Sequence, residues 1–201
     1  MTMTLQLPIP EKGLDFPLMR ALEKRRSKRK WKNEPLSNQE LSNLLWAACG
    51  ITMAETKKSK SKRTVPSATN SQAIKIYVAL KKGLFLYNEK NHELIQILSE
   101  NIIPSIGNQK MIQSAPVGLI YVSDYSKMKG YLSKKDEDRK WFVSATETGC
   151  ISQNVYLYCA SAKLNTVIIG LVNRNKLHEI MGLKEHEKVV YTQAVGKSPD
   201  D

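Results

Sequence analysis

The chain has 201 residues, of which 41% are apolar, and this is enough to form one domain with a substantial buried core. Its 31 Lys and Arg residues outnumber 19 Asp and Glu residues, and the formal net charge of +12 favours a partner that carries phosphate, either a nucleic acid or a phosphorylated cofactor. No apolar run approaches the roughly 18 residues of a membrane span, and residues 1–12 lack the order of a secretory signal, so we expect a cytoplasmic protein without a membrane segment.

The first part of the chain predicts an extended arm, two helices and an exposed loop. We expect residues 1–13 to be extended and residues 14–24, which carry apolar side chains at helical spacing, to form an amphipathic helix. A capping box at residues 37–40 predicts that a second helix begins there and ends at Gly50. The lysine-rich stretch 54–63 has no periodicity and predicts a flexible loop.

The middle of the chain predicts strands on both sides of one helix. Residues 74–80 and 84–87 are strand-like runs separated by Gly83, and they predict a β-hairpin. We expect residues 91–101 to form a helix. The continuous apolar run 117–122 is typical of a central strand.

The last part of the chain predicts a long helix and two strands. Residues 139–164 contain few helix breakers and many small or apolar residues, so we expect a long buried helix that crosses the core or a subunit interface. Residues 166–169 predict a strand that ends at Gly170, residues 176–181 a short helix, and residues 188–195 a final strand. The predicted class is α+β, with a mixed or antiparallel sheet surrounded by helices.

A cluster of cations follows the first predicted helix, in the sequence Lys-Arg-Arg-Ser-Lys-Arg-Lys at residues 24–30. Arg25, Arg26 and Arg29 offer forked donors that suit bidentate contact with phosphate, and Ser27 adds a hydroxyl. A solvated helix end is the simpler alternative. Nucleic acid is disfavoured, because no aromatic residues interleave with the cations for base stacking.

A second polar segment, residues 63–72, lies directly before the predicted hairpin. Pro66 stiffens a turn there, and the polar side chains around it could meet the edge of a planar heterocycle, although an ordinary polar loop fits equally well. These polar residues are Ser67, Thr69, Asn70 and Ser71.

The cysteines and histidines form no disulfide or metal-binding pattern. They are Cys49, Cys150, Cys159, His92, His178 and His186. No two cysteines have CxxC spacing, and no histidine lies near enough to complete a ligand motif. We therefore expect structural thiols and no metal site.

Five segments resemble, in the same order, the motifs of the FMN-dependent nitroreductase family. They are residues 25–29, residues 41–50, residues 63–72, the helix with Gly149, Gln153 and Asn154, and residues 169–170. The hairpin at residues 83–87, followed by His92 and Leu94, is similar to the SagB-type branch of that family. The resemblance spans about residues 20–197. It implies a single nitroreductase-like domain over residues 1–201, with the long helix at a dimer interface.

The resemblance also implies which residues bind FMN. Arg25, Arg26 and Ser27 would hold its phosphate and ribityl chain, and Arg29 would lie beside the N1 and O2 edge of the flavin. Lys197 is the candidate for the C-terminal cation that reaches the phosphate in this family.

Two further segments would approach the flavin ring. The resemblance implies that one of them comes from the partner subunit and consists of Pro66, Ser67 and Ala68, with Asn70 close to the ring or the ribityl chain. Ile169 and Gly170 would present backbone groups near flavin N5, where the absence of a Cβ in Gly170 permits close approach.

The function that the resemblance implies is flavin-mediated reduction by a homodimer with shared active sites. NAD(P)H would donate a hydride to flavin N5, and a small aromatic acceptor such as a nitroaromatic or a quinone would then take it in a ping-pong reaction. The flavin carries this chemistry, so no catalytic side chain is expected.

Two alternatives stay open, the first implied by the SagB-like features and the second by the basic residues. One is a SagB-like oxidation of azoline rings in a modified peptide, with FMN as the electron acceptor. The other is a flavin-free protein that uses its basic segments to bind nucleic acid or an acidic partner.

Overall fold

The centre of the fold is an antiparallel sheet in the computed structural model, which describes residues 3–199. The strands are β1 (Thr4–Gln6), β2 (Ile51–Met53), β3 (Lys62–Arg63), β4 (Ile74–Leu80), β5 (Gly83–Asn88), β6 (Glu93–Leu98), β7 (Val117–Asp124), β8 (Leu164–Ile169) and β9 (Glu187–Lys197). Seven of them form the main sheet in the order β1-β6-β5-β4-β7-β9-β8, and β2 pairs separately with β3. All neighbouring pairs are antiparallel, which resolves the choice between a mixed and an antiparallel sheet.

Helices cover both faces of this sheet. They are α1 (Leu18–Lys24), α2 (Asn38–Cys49), α3 (Lys110–Gln113), α4 (Glu137–Ser161) and α5 (Arg174–Ile180). Side chains of α2 and α4 pack on one face, and those of α3, α5 and the segment around Ile106 pack on the other. All eight residues of β7 are therefore buried, as a central strand requires.

The capping box and the hairpin predicted from sequence are confirmed. The Ser37 hydroxyl accepts from the Glu40 backbone N–H at 3.1 Å, and the Glu40 carboxylate accepts from the Ser37 N–H at 2.6 Å. At the other end of α2, a Cβ on Gly50 would lie 2.2 Å from the Trp46 ring. The first helix is shorter than expected and begins at Leu18, because Pro17 disfavours helical geometry at Phe16.

The helix expected over residues 91–101 is wrong, because this segment contains β6. Its residues pair with β5 on one side and with β1 on the other, with Leu94 opposite Tyr87. The spacing of Leu94, Ile95 and Leu98 fits a helix and a strand equally well. The free edge of the β4–β5 hairpin decides the outcome, since its unpaired backbone groups are satisfied by a third strand.

The other predicted helices and strands are present with small shifts in boundaries. The predicted arm is described from Met3 onward, where β1 joins the sheet edge, and its first two residues lie outside the described range. The lysine-rich stretch is exposed up to Lys60, whereas Ser61 is buried and Arg63 belongs to β3. The long helix starts after Asp136, whose carboxylate accepts from the Arg139 N–H at 2.8 Å. Among the described helices, none is both long and apolar enough to cross a lipid bilayer.

A buried relay of hydrogen bonds joins the N-terminal arm to α2 and β5. The Ser42 hydroxyl donates to the Pro8 carbonyl at 2.6 Å, so its oxygen is the acceptor for His92 Nε2–H at 2.7 Å. His92 Nδ1 then accepts from the Tyr87 hydroxyl at 2.8 Å. Every member of the relay is satisfied only when His92 is neutral, and burial lowers the pKa of His92 below its ordinary value of 6.5.

We expect His92→Asn to reduce the free energy of unfolding by about 1–3 kcal/mol, because it leaves the partners in the relay unsatisfied. Asparagine tolerates the left-handed φ of 53° found at His92, so the backbone should keep its course. In the wild type the unfolded chain takes up a proton before the folded chain does. The contribution of neutral His92 to the free energy of unfolding should therefore be complete above pH 6.5 and should decline as the pH falls below that value.

Denaturant unfolding at several pH values measures both effects. His178→Asn, a change in a half-buried histidine of α5, is the control and should keep the wild-type pH dependence. An unaltered acid decline in His92→Asn would show that another group is responsible.

Candidate functional site

The cationic cluster lies against the outer edge of β8, where residues 25–32 form an extended segment that we call the basic strap. The Lys28 N–H donates to the Thr166 carbonyl at 3.0 Å, and the Asn165 side chain donates to the Lys30 carbonyl at 2.6 Å. The Lys32 N–H donates to the Lys197 carbonyl at 3.0 Å. The strap thus satisfies the Thr166 carbonyl of the edge strand β8, and its other two contacts are with the Asn165 side chain and with β9.

Tyr156 of α4 connects the strap to the far end of β8. Its hydroxyl is hydrogen bonded to Ser27 Oγ at 2.9 Å and accepts from the Ile168 N–H at 3.0 Å. The Arg25 guanidinium lies 5.4 Å from the centre of the same ring. Arg25 and Ser27 are therefore brought to the end of β8 that carries Ile169 and Gly170, as the sequence predicts for one half of a site.

A cationic pocket of about 330 Å³ opens beside the strap. Lys24, Arg26, Lys28 and Lys163 line it together with polar groups of Asn165, Thr166 and Ser198. No acidic residue within the range 3–199 lines this pocket. Such a cavity suits a phosphate. Sequence reasoning missed Tyr156 and Lys163; Tyr156 is adjacent to a recognised motif, but Lys163 is an isolated lysine after the long helix.

Two of the cations predicted for the site lie elsewhere on the strap side. The Lys197 ammonium is 3.5 Å from the Glu34 carboxylate, and its side chain does not line the cationic pocket. Arg29 belongs to the strap and is exposed. Their roles in binding a cofactor stay predictions from the family resemblance.

Pro66, Ser67 and Ala68 lie against a different part of α4. With Phe142, Val143, Thr146, Glu147 and Cys150 they line a pocket of about 240 Å³, which we call the apolar pocket. Glu147 precedes Tyr156 by nine residues, and a helix rises about 1.5 Å per residue, so the two regions are about 14 Å apart along α4. The two predicted halves of the site therefore lie at different levels of α4.

The loop after Ala68 has a strained backbone. Thr69, Asn70 and Gln72 have φ values of 55°, 50° and 52°, a region that β-branched residues such as threonine rarely adopt. The Ser61 carbonyl holds the loop in place by accepting from the Asn70 side chain at 3.0 Å and the Gln72 side chain at 2.7 Å. Asn70 is therefore turned toward Ser61 and does not line the apolar pocket. Strain of this kind is common at functional sites.

Buried side-chain atoms without a hydrogen-bond partner concentrate beside this loop. Among the described residues they belong to Arg63, Thr64, Ser71, Glu147 and Thr148. Glu147 is only 6% exposed; one carboxylate oxygen accepts from the Ala68 N–H at 2.7 Å, and the other has no partner. Burial raises the pKa of Glu147. Each buried polar group without a partner lowers the stability of the folded chain.

One face of α4 between the two half-sites is exposed in the described part of the chain. Phe142, Thr146, Gly149 and Gln153 form this α4 stripe, and Phe142 is 62% exposed. A Cβ built on Gly149 would meet no atom within 4 Å. An exposed stripe along a central helix is suited to a second helix.

Comparison with known proteins identifies the group to which this fold and site belong. The model of the nitroreductase family matches residues 22–197. The chain belongs to the nitroreductase family. The sequence resemblance and the α+β fold that it implied are thereby confirmed, and oxidoreductase chemistry is the activity of the class.

Individual relatives agree with this assignment. A protein of Methanocaldococcus jannaschii whose name describes it as a nitroreductase is 32% identical, over 92% of each chain. A nitroreductase structure from Ralstonia eutropha is also 32% identical, with a TM-score of 0.88, covering 98% of this chain and 90% of that one. The NADPH:FMN oxidoreductase of Vibrio harveyi shares the fold, with 20% identity and a TM-score of 0.64 over 92% of this chain and 69% of that one.

Tyr156→Phe tests whether the tyrosine hydroxyl holds the strap in place. We expect the variant to lose about 1–3 kcal/mol of stability, because the Ile168 N–H loses its acceptor. The strap should also be cut faster by trypsin, since its lysines and arginines are released from the edge of β8. Tyr131→Phe, at a residue that is 60% exposed, is the control. Wild-type cleavage within the strap would show that Tyr156 does not anchor it.

Proposed function

We propose that the protein is an FMN-dependent oxidoreductase that passes reducing equivalents from NAD(P)H to a small aromatic acceptor, such as a nitroaromatic or a quinone. The observation that carries the proposal is the cationic pocket beside the strap, next to the Tyr156 junction at β8. Four cationic side chains with no acidic residue among the described lining fit a phosphate group. Family membership adds support for the flavin.

The residues present fit FMN at both of its ends. Arg26, together with Lys24 and Lys163 of the pocket, would hold the phosphate, and Arg25 and Ser27 would contact the ribityl chain. Bound FMN supplies the redox chemistry, because its N5 atom accepts and donates a hydride. The protein would position the cofactor and stabilise the charge that forms on its ring. Lys197 would contribute only if its side chain leaves Glu34.

The end of β8 is suited to contact with the flavin ring. The Gly170 carbonyl already accepts from the Arg174 guanidinium at 3.3 Å and from the Val172 N–H at 3.0 Å. We therefore assign contact with the ring to the amide side of Ile169 and Gly170. A residue without a Cβ allows a flat ligand to approach the backbone closely.

A homodimer would complete the site. The half with the strap and the half with Pro66, Ser67 and Ala68 are about 14 Å apart along α4, because nine residues separate Glu147 from Tyr156. If two copies of α4 pack in opposite directions through the α4 stripe, the apolar pocket of one subunit faces the strap of the other. Each active site would then be shared.

The electron donor and the acceptor would use the same open face in turn. Such a reaction needs no nucleophilic side chain, and the chain shows no separate dinucleotide fingerprint for a second nucleotide site. The name of the Vibrio harveyi relative pairs NADPH with FMN, which supports a nicotinamide donor here.

Purified protein should be yellow and should oxidise NADH or NADPH when nitroaromatics or quinones are added. Colourless protein that binds DNA in a salt-dependent way would contradict the proposal.

We expect Arg26→Ala and Lys163→Ala to weaken FMN binding by about 1.5–3 kcal/mol each, the amount typical of a lost charged hydrogen bond. Riboflavin lacks the phosphate, so its affinity should change little in the same variants. Fluorescence titration with both flavins measures the difference. Lys197→Ala is the control: Lys197 lies outside the cationic pocket, so this variant tests the phosphate position that the family resemblance implies. If Arg26→Ala and Lys163→Ala keep the wild-type preference for FMN over riboflavin, the cationic pocket does not bind the phosphate.

We expect Gly149→Arg to produce monomers that bind FMN weakly, because a charged side chain would stand in the middle of the α4 stripe. Arginine favours a helix more than glycine does, so the fold of the single chain should survive. Gly13→Arg, at the other open glycine near the N-terminus, is the matched control. Analytical ultracentrifugation and flavin titration report the two effects. A dimeric Gly149→Arg protein would place the interface elsewhere.

A further inference from the structure

The turn that follows β8 is held from one side by Arg174 of α5. The Arg174 guanidinium donates from Nη2 to the Gly170 carbonyl at 3.3 Å and to the Val190 carbonyl of β9 at 3.0 Å. Its Nε–H donates to the Val190 carbonyl as well, at 3.2 Å. The Val172 N–H also donates to the Gly170 carbonyl, at 3.0 Å, but this contact lies within the turn and moves with it. Arg174 is therefore the side chain that fixes the direction of the Gly170 carbonyl relative to β9.

The guanidinium is itself held by two aromatic rings. It lies 5.4 Å from the centre of the Trp141 ring of α4 and 5.9 Å from the centre of the Tyr191 ring of β9. Within residues 3–199, no carboxylate forms an ion pair with Arg174. Its planar fork is thus committed to two backbone carbonyls, a geometry that the single ammonium of a lysine does not reproduce.

The direction of the Gly170 carbonyl decides where the next N–H points. A trans peptide is planar, and its carbonyl and its N–H point in opposite directions. The peptide between Gly170 and Leu171 is trans. Because the Gly170 carbonyl faces Arg174, the Leu171 N–H faces away from it.

This clamp reverses the orientation that the strand alone would give. Along the outer edge of β8, the Thr166 carbonyl accepts from the basic strap, and the Ile168 N–H donates to the hydroxyl of Tyr156. Backbone groups alternate between the two edges of a strand, so a strand continued by two residues would turn the Gly170 carbonyl to the same outer side. With that carbonyl held by Arg174, the outer side receives an N–H donor in place of an acceptor.

The Leu171 N–H is open to a ligand. It donates to no acceptor among the described residues. Gly170 and Leu171 are both exposed, and Leu171 is 66% exposed. A donor that is accessible and unused therefore stands at the end of β8, where contact with the flavin ring is proposed.

We infer that Arg174 is a positioning residue, which holds the Gly170–Leu171 peptide so that the Leu171 N–H donates to the N5 atom of bound FMN. N5 of the oxidised ring carries a lone pair, which accepts from an N–H and is repelled by a carbonyl. The hydrogen bond would orient the ring and favour the charge that arrives at N5 with a hydride. The inference rests on the proposed FMN-dependent function.

The analogue 5-deaza-FMN separates this role from a general loss of cofactor binding. It has the phosphate and the ring system of FMN, but a C–H group replaces N5 and accepts no hydrogen bond. Arg174→Met keeps the length of the side chain and removes its donors. We expect the preference of the protein for FMN over 5-deaza-FMN, measured as the ratio of the two Kd values, to fall by about 2- to 10-fold in this variant, the usual worth of one hydrogen bond. Lys176→Met, at an exposed cation of the same helix, is the matched control and should keep the wild-type ratio.

A second readout uses the wild type and does not depend on the folding of a variant. The two flavins have nearly the same ring current, so the difference between their effects on the Leu171 amide reports the acceptor at N5. In NMR spectra this amide proton should resonate further downfield with FMN than with 5-deaza-FMN. Equal shifts with the two flavins, or an unchanged ratio of Kd values in folded Arg174→Met, overturn the inference and leave the proposed function intact. Wild-type protein that binds neither flavin overturns both.

Discussion

The open edge of β8 is the constraint on which the rest of the site depends. Because this strand ends the sheet, its outward backbone groups need partners. The basic strap supplies one, the Lys28 N–H that donates to the Thr166 carbonyl, and the Lys30 carbonyl accepts from the Asn165 side chain. The same contacts place several cationic side chains around one pocket, which is therefore suited to an anion. The hydroxyl of Tyr156 fixes the end of this arrangement against Ile168. Contact with the edge of the sheet thus holds the cationic strap beside the cationic pocket.

The two pockets beside α4 differ in the kind of ligand group that they suit. The cationic pocket is lined by polar and charged groups and fits a phosphate, whereas the apolar pocket is lined by rings and short side chains around one acid. A flavin mononucleotide with an aromatic acceptor has the same division between a charged tail and flat rings. Since the pockets are separated along one helix, a second copy of the chain is the simplest way to bring them to one ligand.

Local signals in the sequence predicted the elements that depend on neighbouring residues. The predictions of the capping box at Ser37, the hairpin at Gly83 and the long helix were correct, because residues close together in sequence determine each of these elements. Whether residues 93–98 form a helix or a strand depends instead on a free edge of the sheet, and the periodicity of the sequence does not show that edge. The direction of a side chain was equally inaccessible: Asn70 turns to Ser61 and Lys197 to Glu34, although both positions follow the family pattern. Lys163 joins the site only through the fold.

The loop before β4 combines a strained backbone with buried polar groups that have no partner among the described residues. Left-handed backbone at Thr69 and unsatisfied buried groups on Thr64 and Glu147 both reduce stability, and a protein retains such features where they are compensated. Within the chain, Ser61 holds the loop in shape but does not satisfy those groups. The compensation must therefore come from water, ligand or partner at the same surface. The strain and the apolar pocket coincide at this loop, and this supports the proposal that the loop contacts a ring of the cofactor or acceptor.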